Sequence, residues 1–171
     1  MRGPKLVKHP RICIVGLSFF GDPFETSAGW SEENEIGRLW KRWLALYGEH
    51  AHAIPACAPD AMLEVHIWGE SATTTGEFDV FVGVEVAALA AVPVSLVAKV
   101  LPPSEYAIFT LEADEITGDW ARDIYQGWME EHGYRSAHDF MIQWYDQRFK
   151  GLDQLPGSEL DIYIPVEKSG D

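Results

Sequence analysis

The sequence predicts an α+β fold made of two tandem βαββ units related by a pseudo-twofold axis. The expected sheet is antiparallel, carries its helices on one face and leaves a central cleft. Three observations predict it. The strand-like stretch "FDVFVGVE" at 78–85 returns at 160–167 as "LDIYIPVE", 82 positions on. A helical apolar stripe in "EIGRLWKRWLALYG" (35–48) returns in "DWARDIYQGWMEEHG" (119–133) at an offset of 85. The order strand, helix, strand, strand holds in both halves, which duplication explains and composition alone does not.

The elements follow in chain order. "MRGPKLVKHPRICIVGLSFF" at the N-terminus imitates a signal peptide, but it lacks a small-x-small cleavage site and its apolar part is short and alternating, so it reads as a first strand centred on "RICIVGLS", 11–18. In 35–48, Leu39, Trp40, Trp43 and Leu44 stand at i, i+1, i+4 and i+5, a broad helical stripe. Gly48 sits where a helix wants a left-handed terminating residue. "MLEVHIW" (62–68) alternates as a half-buried strand does, and 78–85 closes the first half. "SLVAKVL" (95–101) reads as the counterpart of 11–18. Ile124, Tyr125, Trp128 and Met129 then repeat the stripe, with Gly133 in the place of Gly48. "FMIQWYD" (140–146) and 160–167 close the second half. The repeats run over about 10–88 and 94–168 within one expected domain, 1–171.

Successive strand side chains leave on opposite faces. Leu160, Ile162, Ile164 and Val166 share a face with one another, as do Phe78, Val80, Val82 and Val84, and these faces are expected under the helices. Asp161, Tyr163, Pro165 and Glu167, matched by Asp79, Phe81, Gly83 and Glu85, mix aromatics with carboxylates and read as the lining of a groove between the halves. Pro165, which has no N–H to donate, and Gly83 occupy equivalent positions, so an edge or bulge is expected there, with a central gap of the kind ligands favour.

At 171 residues the chain has the size of one domain able to bury its own core. A net charge of −14 repels phosphate backbones and anionic lipid, so neither nucleic acid nor membrane is expected as a partner. No apolar run approaches the roughly 18 residues of a membrane span. Two cysteines are too few for a disulfide framework, and a reduced cytoplasm is the expected location. His50 and His52 in "EHAH", which His66 and His132 could join, lack any accompanying metal-ligand spacing, and phosphate-cradling and nucleophile-elbow motifs are absent; no metal or cofactor is expected.

In "IYQGWMEEHGY" (124–134), "QWYDQRF" (143–149), "LDIYIPVE" and "FVGVEV" (81–86), taken in this order and spacing, the chain resembles the GyrI-like small-molecule-binding family, also found as the effector-binding domain of AraC-type and MerR-type transcription regulators. The resemblance implies a tandem βαββ duplication around a cleft that takes large, flat, often cationic molecules against aromatic walls and a buried carboxylate. Some members inhibit DNA gyrase, and some hydrolyse strained electrophilic natural products. One position departs from the pattern: where the family's aromatic strand carries Glu two residues before its Tyr, this chain has Gln143 before Tyr145, so that Glu85, Glu64 or Glu112 would have to supply the acid.

The candidate ligand-binding residues are therefore Trp40, Trp68, Phe81, Glu85, Tyr125, Gln143, Tyr145 and Tyr163. Of the neighbours Trp144 and Tyr145 one alone can face a given cleft, and the resemblance favours Tyr145. Glu85, a carboxylate beside an aromatic wall, can select a positive ligand or take a proton from water, and it is the candidate catalytic residue. The expected function is that of a stand-alone binding protein, monomer or homodimer, that senses or sequesters large hydrophobic aromatic compounds, cationic or neutral. Two alternatives stand beside it: a hydrolase of strained electrophiles using a cleft carboxylate, and a gyrase-inhibitor-like protein in which the acidic charge imitates nucleic acid.

Overall fold

The computed structural model describes residues 1–70, 72–90 and 92–170. Its strands are β1 (Arg2–His9), β2 (Ile12–Gly21), β3 (Met62–Ile67), β4 (Phe78–Val86), β5 (Val97–Leu101), β6 (Ser104–Glu112), β7 (Tyr134–Ser136), β8 (Phe140–Tyr145) and β9 (Glu159–Lys168). The helices are α1 (Glu35–His50), the short α2 (Ala72–Thr75) and α3 (residues 120–132). Among the described residues the strands form one antiparallel sheet in the order β1-β6-β9-β8-β3-β4-β2-β5, with β7 added to β9. No described helix is long and apolar enough to cross a membrane.

The two halves meet at β3 and β8, where Glu64 pairs with Gln143, Val65 with Ile142 and His66 with Met141. Outward from that seam the order is mirrored: β3-β4-β2 on one side, β8-β9-β6 on the other. Gly16 lies opposite Gly83 as Tyr106 lies opposite Pro165, so the approximate dyad passes through the Val65–Ile142 pair. The first strand of the second unit is thus β6. The stretch at 95–101 yields the strand β5 from Val97 on, but it lies on the outer side of β2, and the N-terminal strand divides at Pro10 into β1 and β2.

The first strands are exchanged. β1 runs directly into β2 yet pairs with β6, and β5 runs directly into β6 yet pairs with β2. Two residues, Pro10 and Arg11, join β1 to β2, and Pro102 and Pro103 join β5 to β6. Two residues span no more than about 10 Å, so the two ends of the sheet must come together. The sheet curls, and its inner face holds a core of its own: Ile12, Ile14, Leu63, Val65, Phe81, Leu101, Tyr106, Phe140 and Ile142.

The outer, helix-bearing face carries two further clusters. Under α1, Leu39 and Trp43 pack on Val80, Val82 and Val84; under α3, Ile124 and Met129 pack on Leu160, Ile162 and Ile164. The apolar parity of 78–84 and 160–166 is therefore the helix face, as the alternation requires. α1 starts at Asn34, whose buried side chain accepts from the Gly37 N–H and donates to the Gly29 carbonyl. Gly133 ends α3 with φ +64 in the left-handed region, but Gly48 lies inside α1 and terminates nothing.

α3 departs from the simple repeat. Its middle, Asp123–Met129, is π-helical, and the wider turn adds a residue. Leu39 and Trp40 still correspond to Ile124 and Tyr125, but the depth of Trp43 is reached by Met129 and not by Trp128. Trp128 instead stacks on His132 and Tyr134 at 5.0 Å, while Leu44 is exposed.

Pro165 and Gly83 lie inside the sheet, not at an edge. Pro165 is tolerated because the strand beside β9 is interrupted there: β8 pairs with β9 only as far as Tyr163 and β7 resumes at Val166, so no ladder bond is lost to the missing N–H. Gly83 and Gly16 permit a close backbone approach; a Cβ on Gly83 would stand 2.2 Å from the Val15 carbonyl oxygen. Gly83→Ala is expected to lower stability by about 1–3 kcal/mol through overpacking. Gly48→Ala, where nothing lies within 4 Å, is expected to raise it by about 0.5–1 kcal/mol. Thermal melts of the two variants check both signs.

Candidate functional site

Alternate residues of the two central strands leave the outer face between the helices: Met62, Glu64 and His66 from β3, and Met141, Gln143 and Tyr145 from β8. They form the floor of a cavity of about 930 Å³, near the upper end of small-molecule sites. Trp40 of α1 and Tyr125 of α3, at matching places on the two stripes, form its walls, and Trp68 and Phe78 close one end. Trp40 and Trp68 pack against both helix-face clusters, so they bridge the seam. Phe24 and Trp30, from the loop before α1, stand with Leu44 and Leu152 at the mouth and are substantially exposed.

Glu64 is the chemical centre. The residue is 3% exposed and its carboxylate receives three contacts: the Trp40 Nε1–H donates to Oε2, His66 Nε2 donates to Oε1 at 2.7 Å, and Gln143 Nε2 donates to Oε1 at 3.3 Å. The Tyr145 hydroxyl in turn donates to Gln143 Oε1 at 2.8 Å, and its ring meets that of Trp40 edge-on at 5.0 Å. A buried carboxylate without partners costs several kcal/mol, and these donors offset that cost. His66 packs on Phe78, 5.1 Å between centroids. Burial pushes the Tyr125 hydroxyl well above its ordinary value; burial does the same to Tyr145, reinforced by the nearby Glu64 charge. Both phenols therefore stay protonated donors.

The dyad that relates the two strands does not relate these side chains. Glu64 corresponds to Met141 and His66 to Gln143, so the floor of the cavity carries one carboxylate, displaced to one side. The acid absent at Gln143 stands directly across the strand pair from it.

Of the residues proposed from the sequence, Trp40, Trp68, Tyr125, Gln143 and Tyr145 line this cavity together. Phe81, Glu85 and Tyr163 do not. Their face of β4 and β9 is the inside of the curled sheet, which corrects the expected position of the groove. Phe81 is wholly buried in the inner core. Tyr163 lies beside Tyr106 and Trp144, and burial, helped by Asp161, pushes it up to about 12. Glu85 sits near the end of β4, its carboxyl raised by burial and partly restored by His9. Glu112 ends β6 and pairs with Arg2, away from the cavity. His66, Met141 and Phe78 were missed, although "MLEVHIW" places Glu64, His66 and Trp68 on one parity, the same relation that Gln143 and Tyr145 have in "FMIQWYD".

At the rim, Asp146 is held by Arg148, whose guanidinium also reaches Asp161 and Glu159. Hydrogen bonding from Arg148 holds the Asp146 carboxyl below its ordinary value. A depressed carboxylate contributes stability above its unfolded value and loses it as pH falls through the folded one. Arg148→Gln is therefore expected to lower the urea midpoint near neutral pH, with the gap to wild type persisting down to the ordinary Asp value of 3.8 and narrowing below it. Urea titrations across the acid range measure this.

A mirrored βαββ pair with an aromatic cavity over its seam defines the class: an effector-binding protein of the GyrI-like type. The chain belongs to the Cass2 family of integron-associated effector binding proteins, whose family model matches residues 5–166. Similar solved structures share the fold at low identity. SAV2435, solved bound to tetraphenylphosphonium, is 12% identical, with 96% of this chain and 93% of that one covered and a TM-score of 0.64. The Vibrio cholerae integron cassette protein VCH_CASS2 is 16% identical, with 97% of each chain covered and a TM-score of 0.58. The EcmrR C-terminal domain is 13% identical, with 98% and 99% covered and a TM-score of 0.63. A search of curated proteins by sequence finds no match.

Proposed function

We propose that this chain binds large hydrophobic aromatic compounds, lipophilic cations among them, and thereby senses or sequesters them. The observation that carries the reading is the single buried carboxylate, Glu64, set among aromatic rings at the floor of a cavity of about 930 Å³. A lipophilic cation gains there from the apolar walls, from about 0.5–2 kcal/mol of cation–π attraction per well-placed ring, and from the carboxylate. The tetraphenylphosphonium bound by SAV2435 has this chemistry. Four tryptophans, Trp30, Trp40, Trp68 and Trp120, line the cavity, so intrinsic fluorescence reports its occupancy.

Tetraphenylphosphonium is expected to quench that fluorescence saturably at micromolar concentrations, and Glu64→Gln to weaken it about tenfold or more, some 1.4 kcal/mol. Lack of quenching by tetraphenylphosphonium and by a panel of flat dyes, cationic and neutral, would overturn the reading. The contact between Glu64 and His66 favours a second one, hydrolysis of a strained electrophile, since an acid oriented by a histidine can take a proton from water. Turnover of an epoxide-bearing aromatic compound, lost in Glu64→Gln, would establish it.

A further inference from the structure

We infer that His66 decides the charge class of ligand the cavity accepts. As a neutral imidazole it leaves Glu64 as counterion for a lipophilic cation; as an imidazolium it fills that place itself and leaves the cavity to uncharged aromatic compounds. The inference rests on the binding reading above and names how that site is tuned.

The geometry is specific. Nε2 of His66 donates to Glu64 Oε1 at 2.7 Å, a bond made equally by the neutral Nε2–H tautomer and by the imidazolium, so a change of charge needs no change of position. An imidazole is the common side chain that changes charge between about pH 5 and 8. His66 is 8% exposed, with its ring against Phe78 and Trp68, so its charge is poorly screened from a ligand above it.

The groups that face it leave the choice to this pair. From β8 come Met141, directly opposite in register, with Gln143 and Tyr145, both uncharged. From α1 comes Trp40, bonded to Glu64, and from α3 Tyr125, kept protonated by burial. The remaining charged groups lining the cavity are Glu32, Lys41, Asp60 and Asp146; Asp60 accepts from Gln147, and Asp146 shares the Arg148 guanidinium with Asp161 and Glu159. The dyad mate of His66 is Gln143, which does not titrate, so a single protonation sets the sign.

Linkage follows. A cation bound beside Glu64 opposes protonation of His66, so its binding releases a proton and its affinity falls as pH falls. The test is calorimetric titration from about pH 8 to about pH 5.5 with tetraphenylphosphonium, whose charge is permanent, and with neutral triphenylphosphine oxide. On the wild-type chain, tetraphenylphosphonium is expected to weaken about tenfold or more over this range, releasing protons as it binds, while the phosphine oxide changes less than about twofold. His66→Gln is expected to make tetraphenylphosphonium affinity independent of pH over this range, whatever its absolute value, and to abolish the proton release. A flat profile without proton release in the wild type, or the same slope in His66→Gln, would overturn the inference while leaving the binding reading intact. Failure of both compounds to bind at every pH would overturn the binding reading and this inference with it. The proton count is taken on the unmodified chain and stands whether or not the variant folds.

Discussion

Slipping β3 by one residue against β8 would turn Glu64 and His66 into the inner core and bring Leu63 and Val65 out under the helices, while Gln143, Tyr145 and Ile142 kept their faces. The register of this one strand pair therefore fixes both the cavity and the hydrophobic interior. It is held from both sides. Inside, Val65 and Ile142 are buried with Leu63 and Phe81. Outside, the Gln143 to Glu64 contact crosses the seam between directly paired residues, and Trp40 ties the same carboxylate to α1. A polar network that joins two strands and a helix specifies register in a way that interchangeable apolar contacts do not.

The duplication was open to reading because period and parity survive in each copy. The helix stripes, the closing strands and their apolar faces all follow from spacing. What parity cannot say is which face of a sheet looks at a ligand. Phe81, Glu85 and Tyr163 have the mixture expected of a groove, but the two-residue links at Pro10–Arg11 and Pro102–Pro103 curl that face inward. Strand exchange is invisible for the same reason: β1 and β5 read as ordinary strands, and only the geometry of the whole sheet sends each to the opposite half. The π turn in α3 is equally hidden. Its sequence keeps an apolar stripe of nearly α-helical period, and the single extra residue is absorbed by exchanging Met129 for Trp128 in the core.

The cavity shows how a symmetric scaffold acquires a polar direction. Duplication supplies paired walls in Trp40 and Tyr125 and paired ends in Trp68 and Tyr145. Divergence on the floor leaves Glu64 facing Gln143 in place of a second acid. Two like charges at that separation would repel across a dry floor, and one of them would have to hold a proton. With a single carboxylate on the floor, Trp40, His66 and Gln143 all direct their hydrogen bonds to it, and the walls beside it are aromatic.

The exchange of first strands also governs how the chain comes into being. Arg2 finds its partner at Thr110, and β5 must reach back to β2 across the whole first unit. At roughly 5–20 residues per second on the ribosome, β1 waits several seconds for β6 to be made, and neither half can close its sheet until the other exists. The nascent first unit holds an open edge along β2 throughout that interval. Four of the first eleven residues, Arg2, Lys5, Lys8 and Arg11, are basic in a chain of −14, and such charges beside an unpaired strand oppose its capture by another newly made chain.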